Sequence, residues 1–212
     1  MNINIYKFFR AYPLIKSYFY RLWNILKFRV LGIKFGRNLI VNDKIYVLGK
    51  GNIEIGDDFN FKSGSGINPI CRNIRGVMCA QSKDSQIIIG DRVGISSSCL
   101  WAEKLIKIGN DVNIGGDCII IDHDAHPHSY LARRRDNNIV DKDFSYNKIP
   151  VSPIIIEDDV WIGARCQILK GVNIGARSIV AAGSIVTRNI PADVIAGGNP
   201  CKVIRSLEKN EC

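Results

Sequence analysis

IIIEDDVWIGARCQILKGVNIGARSIVAAGSIV, residues 154–186, repeats with a period of six. Ile156, Ile162, Ile168, Ile174, Val180 and Val186 form one aliphatic register. Ile154, Val160, Cys166, Val172, Ser178 and Ser184, two residues earlier, form a second of aliphatic or small residues. Gly163 and Gly175 follow members of the first register. Six is neither a helical period nor the alternation of a long strand. It suits a chain that runs straight briefly, turns a corner and repeats. Two side chains two apart point the same way on a short strand. The corner falls where Gly, Asn or Asp tolerates unusual backbone angles. One hexad cannot bury its apolar face alone, so successive turns must stack. The same short apolar runs would suit a β-sandwich, but the unbroken hexads argue against one.

Upstream the pattern recurs with slips. Ile53/Ile55 leads to Phe59/Phe61 and Ser65/Ile67; Ile87/Ile89 leads to Val93/Ile95; Ile106/Ile108 leads to Val112/Ile114 and Cys118/Ile120. Ile95 and Ile108 are thirteen apart, one more than two hexads, so one corner is expected to carry an extra residue. The tandem Ile-Gly steps resemble those of the hexapeptide-repeat acyltransferases, especially galactoside, maltose and polysaccharide O-acetyltransferases. The resemblance runs from Ile53 to Arg205 and is strongest from Ile149 onward. It implies an all-β solenoid: a left-handed parallel β-helix of three hexads per coil, an exception to the right-handed crossover rule. A helical N-terminal cap and a short C-terminal tail complete the expected fold.

The repeat breaks between Asp122 and Pro153. A long segment without repeats inside so regular a fold points to function or disorder. Its start, IDHDAHPHSY, holds all three histidines: His123, His126 and His128. Histidine is the natural general base near neutral pH, and a sugar hydroxyl is a poor nucleophile until its proton is removed. The resemblance implies that His126, in its His-Pro step, is that base. The pattern Asp122-x-Asp124-x-His126 matches polysaccharide-type relatives, in which an acid orients the imidazole or holds a substrate hydroxyl. His123 and His128 read as solvated loop residues or as substrate-facing ones. Three histidines and two acids also suit zinc, as in the carbonic anhydrases of this fold. Those take ligands from well-separated coils, and no His lies outside 123–128 here. No metal is expected. The run Arg133-Arg134-Arg135 is a solvated face or a contact for an anionic sugar or CoA phosphate.

The same resemblance places acetyl-CoA on the last coils as co-substrate. The pantetheine arm would pass Gly163, Ala164 and Ala182, small residues that let backbone groups approach it. Trp161 would wall the thioester end or pack the loop. Thr187, Arg188, Lys202 and Arg205 would recognise phosphates. Lys202 stands where relatives have Arg, which weakens bidentate recognition. Gly197-Gly198-Asn199-Pro200 reads as a turn that swings the tail back over the coil. The expected activity is transfer of acetyl to a hydroxyl of a saccharide, a surface-polysaccharide building block. Amino-sugar or antibiotic acetylation, or a non-catalytic scaffold, are the alternatives. The family works as homotrimers with sites between subunits.

The formal net charge of +9 is uneven. Residues 1–42 hold eight Lys/Arg, no acid and ten of the 18 aromatics. The rest of the chain is nearly neutral. These features set a basic, aromatic helical segment (1–42) apart from a β-helix domain (43–212) whose active-site loop spans about 122–153. In a helix Tyr12, Ile15, Phe19, Leu22 and Leu26 form a stripe, with Pro13 near a helix start or between two helices. The stripe would cover the open end of the solenoid or dock on a membrane surface. Nothing but charge points to nucleic acid. No signal peptide or membrane span is evident. Seven cysteines without a CxxC pair suit a reducing cytoplasm, with Cys118 and Cys166 as buried free thiols. The expected location is cytoplasmic or peripheral to the inner face of the membrane.

Overall fold

The computed structural model describes residues 3–64, 70, 74–131, 133 and 149–208, and the backbone alone for 3–14. A helix, α1 (Ile3–Val30), opens the chain. Coils of three short strands follow. They are β1 (Lys34–Phe35), β2 (Ile40–Asn42) and β3 (Ile45–Gly49); β4 (Asn52–Ile55), β5 (Asn60–Lys62) and β6 (Gly76–Ala80); β7 (Gln86–Ile89), β8 (Gly94–Ser96) and β9 (Cys99–Ala102). Next come β10 (Leu105–Ile108), β11 (Asn113–Ile114) and β12 (Ile119–Ile121); β13 (Ile154–Ile156), β14 (Trp161–Ile162) and β15 (Gln167–Leu169); and β16 (Asn173–Ile174), β17 (Ile179–Val180) and β18 (Ile185–Val186). A hairpin of β19 (Val194–Gly197) and β20 (Lys202–Ser206) closes the chain. Each strand from β1 to β15 pairs with the strand three places on, and β17 pairs with β19. The result is three sheets: A (β1-β4-β7-β10-β13-β16), B (β2-β5-β8-β11-β14-β17-β19-β20) and C (β3-β6-β9-β12-β15-β18). All these pairings are parallel except β19 with β20. This is a three-sided β-helix. Its coils begin at Lys34, inside the segment expected to be helical.

Both registers of 154–186 point inward. Every one of their twelve side chains is at most 1% exposed, Cys118 is buried with them, and Cys118 and Cys166 are free thiols. Burial of stacked aliphatic rows, at roughly 25 cal/mol per Å², holds the coils together. Ser178 and Ser184 fit because their hydroxyls donate to the carbonyls of Pro191 (2.6 Å) and Ala181 (2.5 Å). The corner residues do take positive φ: Asp111 at 58° and Asp159 at 60°. Arg92, Arg165 and Arg177 take it too, against the expectation of Gly, Asn or Asp. Arg92 and Arg177 fork onto Asp111 and Asp193 of the next turn, with bonds of 2.5–2.7 Å. Gly109 answers a different demand: a Cβ there would sit 2.8 Å from Asp158 N in the next coil.

The extra residue is found. Ile95 pairs with Ile114, nineteen along, whereas Ile162 pairs with Val180, eighteen along. The spare length gathers at the corner between sheets C and A: Leu100 and Ile108 are eight apart, against six for Ile168 and Ile174.

Two expectations about the N-terminal segment need correction. α1 runs unbroken through Pro13, which neither starts nor separates helices. The apolar stripe does not cover the coil either: Ile15, Phe19, Leu22 and Leu26 are exposed, and the side chain of Tyr12 lies outside the described residues. The opposite face docks. Asn24, 1% exposed, donates to the carbonyls of Val41 (3.0 Å) and Asp43 (2.9 Å). Ser17 donates to Asn42 Oδ1, Lys16 to Asp43 and Lys27 to the Ile45 carbonyl. Phe28 closes the core at 0% exposure. The reason lies in the partner. The first coil is the edge of its sheets, and its carbonyls at Val41, Asp43 and Ile45 need donors that an aliphatic stripe lacks. Replacing Asn24 by Ala is therefore expected to cost about 1–3 kcal/mol. Leu22→Ala should stay within about 0.5 kcal/mol of wild type, as read by urea denaturation.

Candidate active site

Corner C–A is irregular in several stacked coils. Residues 81–85 join β6 to β7, residues 103–104 join β9 to β10, and residues 122–153 join β12 to β13. Together they enclose a pocket of about 190 Å³ lined by Gln81, Trp101, Glu103, His123, His126 and Ile149, among others. The loop leaves and rejoins the solenoid through two backbone bonds, Ser152 N to Asp122 O (2.9 Å) and Asp124 N to Pro150 O (3.2 Å). Residues 134–148, including Arg134 and Arg135, lie outside the described residues.

Asp122 is fully buried and accepts three backbone N–H groups, from Glu103 (2.7 Å), Lys104 (2.8 Å) and Leu105 (2.7 Å). It clamps the lengthened corner of the preceding coil. Asp124 lies 2.6 Å from both Lys170 Nζ and His128 Nε2. Its burial pushes the carboxyl up, but the bonds and charges of Lys170 and His128 outweigh this and hold it below the ordinary range. The side-chain bonds of Asp122 thus go to the corner amides, and those of Asp124 to Lys170 and His128. His128 is tied to Asp124 rather than simply solvated. Arg133, expected on a solvated face or an anion, donates to the carbonyls of Pro127 (3.0 Å) and His128 (2.6 Å) and braces the histidine turn.

His126 is exposed at the pocket. His123, 6% exposed, lies behind it with its ring edge-on to Trp101, centroids 4.6 Å apart. The Ala125 N–H donates to His123 Nδ1 (2.9 Å), so the ring proton of the neutral imidazole sits on Nε2. Nε2 is buried without a partner among the described residues, and burial pushes the imidazole pKa below its ordinary value. Burial, reinforced by the charge of Asp122, also raises Glu103, against a hydrogen bond from Ser82. The sequence reading missed Gln81, Trp101, Glu103 and Lys170. The one signal for this coil was the surplus residue between Ile95 and Ile108.

The expected coenzyme residues lie elsewhere. Trp161, 56% exposed, stands on the outer face of sheet B in a row that runs from Asn113 through Ile179 and Ile195 to Arg205. Gly163, Ala164 and Ala182 form corner B–C. Gly163 has its own reason to be glycine: a Cβ would meet Ala182 N at 2.5 Å. Thr187 and Arg188 follow β18 at corner C–A, and Lys202 lies in β20. The tail folds back antiparallel on β19, as the turn at Gly197–Pro200 implied. So one chain does not bring Trp161 and His126 together; they line separate pockets. Among the described residues no three His, Cys, Asp or Glu cluster as a metal site.

Residues 153–188 match the family described as hexapeptide repeat of succinyl-transferase. The chain carries the hexapeptide repeat. It is 39% identical over 106 residues to galactoside O-acetyltransferase of Lactococcus lactis, covering 50% of this chain and 45% of that protein. It is 58% identical over 58 residues to 2,3,4,5-tetrahydropyridine-2,6-dicarboxylate N-acetyltransferase of Staphylococcus aureus, covering 27% and 24%. The chain thus spans less than half the length of these curated relatives. Among solved structures, AntD, an N-acyltransferase from Bacillus cereus in complex with dTDP-4-amino-4,6-dideoxyglucose and coenzyme A, superposes with a TM-score of 0.64. That match has 18% identity and covers 87% of this chain and 89% of that one. At that identity the likeness concerns the fold alone.

Two outcomes test this geometry. Asp122→Ala would leave three corner N–H groups without an acceptor and should cost about 2–4 kcal/mol in a urea titration. For His123 the unfolded chain takes up a proton before the folded one does. Its stabilisation is therefore complete above the ordinary histidine value of 6.5 and is lost as pH falls below it. The drop in Tm from about pH 7 to about pH 5 should be smaller in His123→Gln than in wild type.

Proposed function

We propose that this protein transfers an acetyl group from acetyl-CoA to a hydroxyl of a saccharide, with His126 as the base, on coils of left-handed sense. The observation that carries the reading is the pocket at corner C–A. A histidine stands exposed at it, and the buried Nε2–H of a second, His123, lacks a partner among the described residues. A ligand oxygen is the natural acceptor for that donor. The O-acetyltransferase relative supports the acetyl donor and the hydroxyl acceptor.

In this reading His126 takes the proton of the acceptor hydroxyl as its oxygen attacks the thioester carbonyl. The carbon–sulfur bond then breaks, and the imidazolium returns the proton to the departing thiolate. His123 Nε2–H holds an acceptor oxygen. Asp122 fixes the corner that carries Glu103, and Asp124 with Lys170 and His128 holds the turn that presents His126. A backbone N–H near Gly163 or Ala164 would stabilise the oxyanion, and Thr187, Arg188, Lys202 and Arg205 would contact CoA phosphates. Because Trp161 and His126 occupy different sides of one solenoid, a complete site needs the coenzyme wall of an adjacent copy. This favours a homotrimer, with residues 43–212 as its transferase body.

A second reading has specific support. The N-acetyltransferase relative and the N-acyltransferase fold neighbour favour an amine acceptor in the same pocket. Thiol release from acetyl-CoA across sugars and amino sugars separates the two. In either case His126→Ala should lower turnover by roughly 10²–10⁴; unchanged turnover with the productive acceptor would remove His126 as the base.

A further inference from the structure

α1 turns outward the side that a cap alone would hide. Ile15, Tyr18, Phe19, Leu22, Trp23 and Leu26 are each more than half exposed. At 100° per residue they share one face. A cleft lined by Phe19, Trp23, Lys27, Lys44 and Tyr46 joins this face to sheet C, where Tyr46 and Leu48 are 48% and 53% exposed. A continuous apolar surface of this kind marks an interaction site.

Cations surround it. Arg29 is exposed on the same face, Lys27 and Lys44 line the cleft, and Lys16 and Arg21 flank the helix. The whole of residues 1–42 contains eight Lys/Arg and no acid. The first acid, Asp43, is bound by Lys16. Nor can the apolar face roll inward, because Asn24, Ser17 and Phe28 bind the other side to the first coil.

We propose that this face docks on an anionic lipid bilayer. α1 lies in the plane of the interface, with Leu22, Leu26, Phe19 and Trp23 at the headgroup–acyl boundary and Arg21, Arg29 and Lys44 on lipid phosphates. Charge selects this occupant: a second copy would bring the same cationic face, whereas an anionic surface complements it. Exposed Trp and Tyr suit the depth at which an aromatic ring is half solvated. Among the described residues no helix is long and apolar enough to cross a membrane, so the contact is with one surface. The inference is independent of the acetyl-transfer reading.

The test is flotation of the full-length protein with vesicles of phosphatidylglycerol mixed with phosphatidylcholine, and with phosphatidylcholine alone. Binding should be about tenfold or more tighter to the anionic vesicles and should weaken as salt is raised from about 0.1 M to about 0.5 M. The double variant Leu22→Glu/Leu26→Glu changes side chains that contact solvent, so its Tm should match wild type while anionic vesicle binding falls about tenfold or more. Trp23 emission should shift to the blue on binding in wild type. Failure of wild type to float with anionic vesicles overturns the proposal, as does flotation that the double variant leaves unchanged. A double variant that alters the oligomeric mass while wild type ignores vesicles overturns it in favour of a contact between copies.

Discussion

Coil-on-coil hydrogen bonding is the constraint from which the rest of this structure follows. Every strand of two to five residues is too short to persist alone, and through the coils each finds its partner in the matching strand of the next coil. The backbone ladders fix the spacing between coils at the separation of adjacent strands. At that spacing the inward positions must be filled by aliphatic or small side chains, and the places where backbones pass closest admit no side chain. Ile156, Ile162 and Ile168 meet the first demand, Gly109 and Gly163 the second. At the outer corners Arg92 and Arg177 reach the aspartate of the next turn. Pairs this exposed contribute little each; the core carries the stability.

The histidine pocket arises from departures from the repeat. These departures stack at one corner. The surplus length after β9 needs an acceptor for its amides, and Asp122 supplies it from the coil above. Asp122 is also the first residue of the long loop, so the anchor of one irregularity is the origin of the next. Lys170, one coil further, reaches back to Asp124. The histidine turn is thereby held by three coils, with Arg133 bracing it from within the loop. A side chain presented this way stays in place without a rigid element beneath it.

The end of the solenoid sets a different problem. An edge strand exposes carbonyls as well as apolar side chains, and a helix that covers it must donate hydrogen bonds. α1 does so through Asn24, Ser17 and two lysines, and gives Phe28 to the core with Ile25 packed against it. Its aliphatic and aromatic residues are left on the far side, which separates the work of closing the solenoid from whatever meets the exposed face.

The period of six was enough to define the inward rows, the corners, the existence of stacked coils and the loop that interrupts them. Each follows from local alternation and turning, which neighbouring residues encode. The thirteen-residue spacing from Ile95 to Ile108 even marked the irregular coil. His126 was legible because a His-Pro step at the start of a repeat-free segment is a local feature. The partners of Asp122, Asp124 and Arg133 were not, because they are backbone groups and side chains brought near by stacking, distant in the chain or unmarked by residue type. The pocket residues Gln81, Trp101 and Glu103 were hidden for the same reason. The stripe on α1 was legible as a stripe, with its partner left open between the solenoid end and a membrane surface: periodicity says which residues share a face, but which face turns inward depends on what the neighbouring surface needs, and here the edge carbonyls of the first coil needed donors.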